Sequence, residues 1–144
     1  MIRIARINNR SMEPTLRNND LVITSLVTNE KELKRGQVVL VRLGFEPEKL
    51  SIKRIIGLQN ETLEVHFGQI HINGSPLSEP YIGNLPKSQG LEQFTWNIPE
   101  GHIFLLSDFR NFPNVVDSRT LGPIHISKIT EIARLRIWPP LKFF

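Results

Sequence analysis

Two residues of this sequence could together perform nucleophilic catalysis, a serine near the N-terminus and a lysine in the first half of the chain. Ser11 opens residues 11–16, Ser-Met-Glu-Pro-Thr-Leu, and Lys53 lies in residues 52–57, Ile-Lys-Arg-Ile-Ile-Gly. A serine hydroxyl becomes a useful nucleophile when a base takes its proton. A lysine can be that base if burial in apolar surroundings lowers its pKa toward neutral pH. We therefore interpret Ser11 as a candidate nucleophile and Lys53 as its candidate general base.

The local elements around both residues can be read from the pattern of side chains. Residues 50–58 are predicted to form a strand, which places Lys53 on the same face as Ser51 and Ile55. Pro14 forbids a regular strand through the serine segment, so Ser11 is expected on an irregular turn. Each signal also has an ordinary explanation. A serine before a proline often stabilises a turn, and a lysine on a strand often extends to solvent.

The rest of the chain reads as many short strands. Ten prolines and nine glycines lie between short apolar runs in 144 residues, a pattern that favours strands over long helices. Residues 75–101 are rich in Pro, Gly, Ser and Asn, and they are predicted to leave the main sheet as a loop-rich excursion, with a small hairpin of its own. We expect a mainly β, antiparallel protein with a single domain over residues 1–144. The predicted strands cover residues 2–8, 21–24, 37–43, 50–58, 62–67, 69–72, 102–106 and 129–137. Residues 62–67 and 69–72 are expected to form a hairpin around Gly68, and residues 117–119 a turn.

Composition narrows the kinds of site and partner. Cysteine is absent, which excludes disulfides, zinc–thiolate sites and a thiol nucleophile. The four histidines are scattered without the spacing of a helical metal pair, so we expect no metal. The net charge of +4 is concentrated near the two ends. We favour a solvated basic surface over nucleic-acid binding and expect no nucleic-acid partner, whereas an anionic membrane surface stays open as a partner of these basic ends. No apolar run approaches the roughly 18 residues of a membrane span, and no signal peptide is evident.

Four segments, in this order along the chain, resemble the type I signal peptidase family of Ser/Lys serine proteases. They are residues 11–16, residues 35–39 (Arg-Gly-Gln-Val-Val), residues 52–57 and residues 117–124 (Asp-Ser-Arg-Thr-Leu-Gly-Pro-Ile). Residues 137–140, Ile-Trp-Pro-Pro, are similar to the mitochondrial inner-membrane protease branch. The resemblance implies the family's coiled, barrel-like antiparallel β core and a catalytic dyad of Ser11 and Lys53 that needs no cofactor.

The resemblance also implies roles for residues beside the dyad. The oxyanion would be held by the backbone N–H of Ser11 and by the side chain of Asn9, at a position where the family often has a hydroxyl. Arg54, Asp117 and Arg119 are similar to the family's structural ion network behind the site.

The implied substrate is a preprotein or peptide, bound as an extended strand beside residues 4–9 and those just before Lys53. Met12 is a candidate wall for the pocket at the first position before the cut, and Ile7 for the pocket at the third. Both pockets are expected to accept small side chains, typically alanine. We therefore expect a serine endopeptidase that cleaves signal or leader peptides through an acyl-enzyme. Membrane association facing the export side is implied, with a soluble cytoplasmic form as the alternative and the oligomeric state open.

Several positions depart from the family's pattern. The hydroxyl that often lies two residues before the aspartate, and orients the lysine, is replaced by Val115. Ser107 and Ser118 are the candidate substitutes. The last segment opens with residues 107–109, Ser-Asp-Phe, where the family usually has Gly-Asp-Asn. These departures suggest slow catalysis or a narrow set of substrates.

Three other functions are alternatives to this interpretation. One is a dedicated maturation protease for a single protein, such as a nickel superoxide dismutase precursor. Another is a non-catalytic relative that binds a peptide on the same scaffold. The third is the self-cleaving repressor family, which shares the core fold but cuts at an Ala-Gly or Cys-Gly bond. The sequence contains neither bond, which disfavours that family.

Overall fold

The protein is built mainly from short β-strands. The structure, a computed structural model, describes residues 1–44, 49–83, 93–138 and 142–144. A single α-helix of four residues occurs within these ranges, together with three short 3-10 turns. The elements are β1 (Ile2–Arg6), β2 (Leu21–Leu26), β3 (Val38–Val41), β4 (Ser51–Gly57), β5 (Thr62–His66), β6 (Gln69–Ile72), β7 (Ser75–Pro76), β8 (Phe94–Asn97), β9 (His102–Leu106), α1 (Ser118–Leu121), β10 (Ile124–His125), β11 (Ile129–Trp138) and β12 (Lys142–Phe143).

The strands form two sheets. The larger has the order β1-β2-β11-β3-β4-β9-β10, with β12 paired to β11, and the smaller has the order β7-β6-β5-β8. The strand pairs in both sheets are antiparallel. The prediction of a mainly β, antiparallel protein is therefore confirmed.

The centre of the large sheet is buried on both faces. On β3, Val39 and Val41 pack into one apolar cluster, whereas Val38 and Leu40 pack into another on the opposite face. A strand covered on both sides reads as a continuous apolar run instead of an alternating one, which explains the sequence Val-Val-Leu-Val. The neighbouring strand β4 is buried over most of its length for the same reason. It therefore carries Lys53 into a dry environment.

A third apolar cluster joins the two sheets. Ile56 and Phe104 of the large sheet pack against Leu63 and Val65 of the small one. At Gly57, where β4 ends, an added Cβ would lie 2.3 Å from a side-chain carbon of Ile98. Any larger residue here would have to displace the Ile98 side chain and would also lie 3.2 Å from Phe104 Cβ, so this position favours glycine.

The second half of the chain differs in part from the prediction. The hairpin around Gly68 is confirmed, with positive φ at both turn residues, Phe67 and Gly68. The excursion at residues 75–101 does not form the hairpin of its own that we expected in the described residues. Instead, β7 pairs with β6 and β8 pairs with β5, because both edges of the β5–β6 hairpin are available for pairing. Residues 84–92 of the excursion lie outside the described part.

Two further segments differ in detail from the predicted structure. The turn predicted at residues 117–119 begins helix α1, because the Asp117 side chain caps it by accepting a hydrogen bond from the Arg119 N–H. At the N-terminus, the strand predicted for residues 2–8 is shorter, and its apolar face is exposed: Ile2 is 74% and Ile4 65% accessible. Within the described ranges, no helix has the length and apolar character required to cross a bilayer.

Candidate active site

Ser11 lies in a turn after β1, and its polar groups are bonded within the protein. The side chain is almost completely buried, with 4% of the residue exposed. Asn9 Oδ1 accepts hydrogen bonds from the Ser11 backbone N–H (N···O 3.1 Å) and from the Ser11 hydroxyl (O···O 2.8 Å). Because the backbone N–H can only donate, the Asn9 atom that faces it must be the amide oxygen. The Ser11 carbonyl accepts from the Phe109 N–H at 2.9 Å, which ties the turn to the loop after β9.

Lys53 projects from β4 into the protein interior and is 4% exposed. Its Nζ donates to the Ile52 carbonyl oxygen at 3.0 Å. Burial lowers the pKa of Lys53 from 10.5 to about 8, against the attraction of the Asp117 carboxylate and with the help of the Arg119 guanidinium. A neutral amine is therefore accessible at mildly alkaline pH, which is the property that a lysine general base needs.

Ser11 and Lys53 converge on the segment that follows β9. The register of β4 with β9 pairs Arg54 with Leu106 and Ile55 with Leu105, so continuing it places Ser107 opposite Lys53. Two residues later, Phe109 makes the backbone contact to Ser11. No hydrogen bond joins the two candidate catalytic side chains, since each one donates to a different acceptor in the part of the chain described.

Ser107 and Ser118, the two candidate substitutes for the hydroxyl near Lys53, differ in their hydrogen bonding. Ser118 Oγ already accepts the Leu105 N–H at 2.8 Å. Ser107 is fully buried, and its Oγ has no hydrogen-bond partner among the described residues. A buried hydroxyl without a partner is unfavourable and calls for an explanation. Its position opposite Lys53 identifies Ser107 as the free hydroxyl on that face of the site.

Arg54 anchors the opposite face of β4 through a buried ion pair. Its guanidinium donates to both carboxylate oxygens of Asp108, at 2.8 and 2.6 Å, and stacks 3.8 Å from the centre of the Tyr81 ring. Thr15 donates its hydroxyl to the same carboxylate at 2.5 Å. Because Thr15 belongs to the serine segment, this cluster connects the Ser11 turn to the residue next to Lys53.

Asp117 and Arg119 form a second, separate ion pair. The Arg119 guanidinium donates to the Asp117 carboxylate at 2.9 and 2.8 Å, and the Ser107 N–H donates to it at 3.2 Å. The resemblance grouped Arg54 with these two residues, but the structure gives Arg54 its own carboxylate, Asp108. That pairing was not predicted. An arginine inside a buried strand requires a carboxylate close by, so Arg54 itself was the signal.

A cavity of about 260 Å³ lies beside the serine turn. Ile7, predicted to line a substrate pocket, is one of its walls. Met12 is not among the lining residues; it is fully buried in the cluster that also contains Ile7 and Ile52. The cavity is lined by Ala5, Arg6, Ile7, Asn8, Asn9, Leu40, Leu50 and Ile52.

The four histidines do not line this cavity, and they form two edge-to-face ring pairs. His66 and His71 have ring centres 5.0 Å apart, and His102 and His125 have ring centres 5.1 Å apart. Within the described ranges, no three His, Asp or Glu side chains are grouped in a way that could hold a metal ion.

Comparison with known proteins identifies the family. The sequence model of the family "Signal peptidase, peptidase S26" matches residues 1–138. Signal peptidase I of Bacillus amyloliquefaciens is 32% identical over 142 residues, which cover 92% of this chain and 74% of that protein. A crystal structure of a signal peptidase I from Enterococcus faecalis V583 superimposes with a TM-score of 0.54 at 29% identity, over 67% of this chain and 92% of that one. The chain belongs to the signal peptidase family, as the four segments predicted.

Two further relatives show the range of the family. The probable signal peptidase I-2 of Synechocystis is 33% identical over 143 residues; 92% of this chain is aligned, and the aligned part spans 62% of the relative. The mitochondrial ATP-independent inner membrane protease subunit 1a of Arabidopsis thaliana is 29% identical, with 99% of this chain and 74% of the relative covered. The similarity therefore extends to both the bacterial and the organellar branches.

Proposed function

We propose that this chain is a serine endopeptidase of the signal peptidase I type, in which Ser11 is the nucleophile and Lys53 the general base. It would cleave signal or leader peptides after small residues. The observation that carries the proposal is the buried, pKa-lowered Lys53, which faces the same short segment that contacts Ser11. Membership of a family whose relatives are named signal peptidase I supports the substrate class.

The reaction would proceed in two balanced stages. The neutral amine of Lys53 accepts the Ser11 proton while Oγ attacks the scissile carbonyl, and the resulting ammonium then protonates the departing amine. This leaves an acyl ester on Ser11 and a neutral Lys53. The amine next takes a proton from water, whose oxygen attacks the ester. Return of that proton to Oγ releases the carboxylic acid product and restores both residues.

The cavity beside β1 is the proposed site for the residues that precede the cut. As the first strand in the order of the large sheet, β1 is available for pairing with an extended peptide. The branched side chains of Ile7, Leu40 and Ile52 narrow the cavity. Its volume of about 260 Å³ lies just below the usual range for ligand pockets, which suits a short stretch of an extended peptide.

The exposed start of β1 supports association with a membrane surface. Met1, Ile2 and Ile4 expose most of their apolar area, and Arg3 and Arg6 lie exposed between and beside them. Apolar side chains next to cationic ones suit the interface of an anionic bilayer. We propose that this end of the protein lies against the membrane, where emerging preproteins would reach the cavity.

Substitution of Ser11 by alanine is the direct test. The wild-type protein should cleave a peptide with alanine at the first and third positions before the bond, and Ser11→Ala should reduce kcat by about 1,000-fold or more, since the nucleophile is lost. Cleavage is measured by mass spectrometry with and without vesicles containing anionic lipid. Ser127→Ala, an exposed serine on a distant turn, is the matched control.

Each outcome of that experiment separates the alternatives. Equal background cleavage by wild type and Ser11→Ala would exclude the protease, and binding of the peptide without cleavage would indicate the non-catalytic relative. Cleavage restricted to one precursor protein would indicate a dedicated maturation protease. Faster cleavage with anionic vesicles supports the membrane-facing arrangement, and an equal rate contradicts it.

The pH dependence of kcat should report the titration of Lys53. Because only the neutral amine accepts a proton, kcat should rise about tenfold per unit below pH 8 and level off above it. In Ser107→Ala the plateau should be about tenfold lower, because the amine loses the hydroxyl proposed to orient it. A flat profile between about pH 6 and about pH 9 would exclude Lys53 as the base. An unchanged plateau in Ser107→Ala would exclude the positioning role of Ser107.

A further inference from the structure

We propose that the Asn9 carboxamide is a two-position group that keeps Ser11 inactive until a substrate strand enters the cavity. In the resting position its oxygen accepts both the backbone N–H and the hydroxyl of Ser11. In the active position the amide has turned, so that its NH₂ group points to the oxyanion. This inference rests on the proposed function and assigns Asn9 a role that a simple oxyanion donor does not have.

The resting arrangement is incompatible with catalysis. An oxyanion requires the Ser11 N–H as a donor, but that N–H is occupied by the Asn9 oxygen at 3.1 Å. The single proton of the Ser11 hydroxyl is also directed to Asn9, at 2.8 Å, and therefore not to Lys53. An amide oxygen left beside a developing oxyanion would repel it, since both are acceptors. Asn9 must therefore turn before the carbonyl is attacked.

The surroundings of Asn9 permit this rotation. The residue is exposed, and within the described chain its NH₂ group donates to no protein atom. The backbone of the turn is held elsewhere, by the bonds from Ile7 N–H to the Asp20 carbonyl and from Asn19 N–H to the Ile7 carbonyl, at 2.9 and 2.7 Å. Rotation of the side chain would break two hydrogen bonds and leave those backbone bonds intact.

The substrate is the natural trigger, because Asn9 is itself a wall of the cavity beside β1. A peptide strand that fills the cavity must contact the carboxamide, whereas a short acyl group attached to a leaving group need not. The resting position of Asn9 would therefore make the reactivity of Ser11 depend on substrate length. Long substrates would displace the carboxamide and activate Ser11. Short esters and water would leave the Ser11 hydroxyl bonded to Asn9 and unreactive.

The test compares two ester substrates that share one leaving group, an alanine ester and a peptide ester long enough to fill the cavity. We expect Asn9→Ala to lower kcat for the long ester by about 10- to 100-fold, because the donor is lost. The ratio of the long-ester kcat to the short-ester kcat should fall by about tenfold, because the kcat for the short ester rises when Asn9 no longer holds the Ser11 hydroxyl. The matched control is Asn18→Ala, which replaces an exposed asparagine that does not line the cavity.

Asn9→Asp gives the second readout. The carboxylate has nearly the same shape, keeps both hydrogen bonds from Ser11 and has no N–H to donate, so kcat should fall by about 100-fold or more for both esters at neutral pH. If the ratio of long-ester to short-ester kcat is unchanged in Asn9→Ala, Asn9 is only an oxyanion donor and does not hold Ser11 inactive. A wild-type kcat in Asn9→Asp would exclude the rotation. Failure of the proposed function looks different: the wild-type protein would then hydrolyse neither ester in a Ser11-dependent way.

Discussion

Replacing Lys53 with methionine should abolish cleavage and, at the same time, stabilise the protein at neutral pH. Cleavage should fall by about 1,000-fold or more because the general base is lost. Stability should rise because the wild-type protein has to bury an ammonium group, whereas methionine fills similar space without charge. The shift of the Lys53 pKa from 10.5 to about 8 corresponds to a cost of about 3 kcal/mol. We expect Lys53→Met to gain roughly 1 to 3 kcal/mol in urea unfolding at pH 7.

The pH dependence of this gain provides an internal check. Between pH 8 and 10.5 the unfolded state still binds the lysine proton while the folded state has released it, so wild-type stability rises with pH in this window. The advantage of Lys53→Met should therefore shrink from pH 7 to about pH 10. Lys34→Met, at an exposed lysine, should show neither effect. A variant that is less stable than wild type at pH 7 would contradict the energetic account of the buried amine.

Replacing Asp108 with alanine should cost about 3 to 5 kcal/mol of the free energy of unfolding, measured by denaturant titration. The substitution leaves the Arg54 guanidinium buried without its carboxylate and also removes the acceptor of the Thr15 hydroxyl. Asp108→Asn should cost less, because an amide oxygen can still accept one hydrogen bond.

The control for this prediction is an ion pair at the surface. Glu32 lies 3.9 Å from Arg134, with 33% of the Glu32 side chain and 46% of the Arg134 side chain exposed, so Glu32→Gln should change stability by less than about 0.5 kcal/mol. A loss below about 1 kcal/mol in Asp108→Ala would show that Arg54 finds another partner or reaches water. It would also remove the argument that this pair holds the serine turn in place.

The strands that the sequence predicted well are those whose pattern is local. The prediction for β9 matches residues 102–106, and the β5–β6 hairpin was recognised from its glycine turn. Apolar runs and turn residues act over a few positions, so they can be read without knowing the neighbours. The strand order could not be read in this way. The pairing of β8 with β5 places Trp96 opposite Leu63, more than 30 residues away along the chain. A contact of this kind produces no periodic pattern in the sequence.

The residues of the candidate site also fall into those that could be predicted from local sequence and those that could not. Ser11 and Lys53 could be selected because the segments around them are distinctive and because an apolar strand predicts a buried, pKa-lowered amine. The partners of buried groups could not, since they are set by tertiary register: Asp108 reaches Arg54 only because β9 ends beside β4. The orientation of Asn9 is of the same kind. Its residue type permits both donation and acceptance, and only the position of the Ser11 N–H determines which one occurs at rest.

The ion pair of Arg54 has a consequence for the fidelity of folding. Lys53 and Arg54 are adjacent basic residues on one buried strand, and they point to opposite faces. A slip of β4 by one residue would exchange the two faces and bring the lysine to Asp108. The flexible lysine cannot reproduce the two parallel hydrogen bonds that the planar guanidinium makes to the carboxylate. The mispaired strand is therefore less stable, and the arginine favours the alignment in which Lys53 forms no ion pair with Asp108 and its amine is available for chemistry.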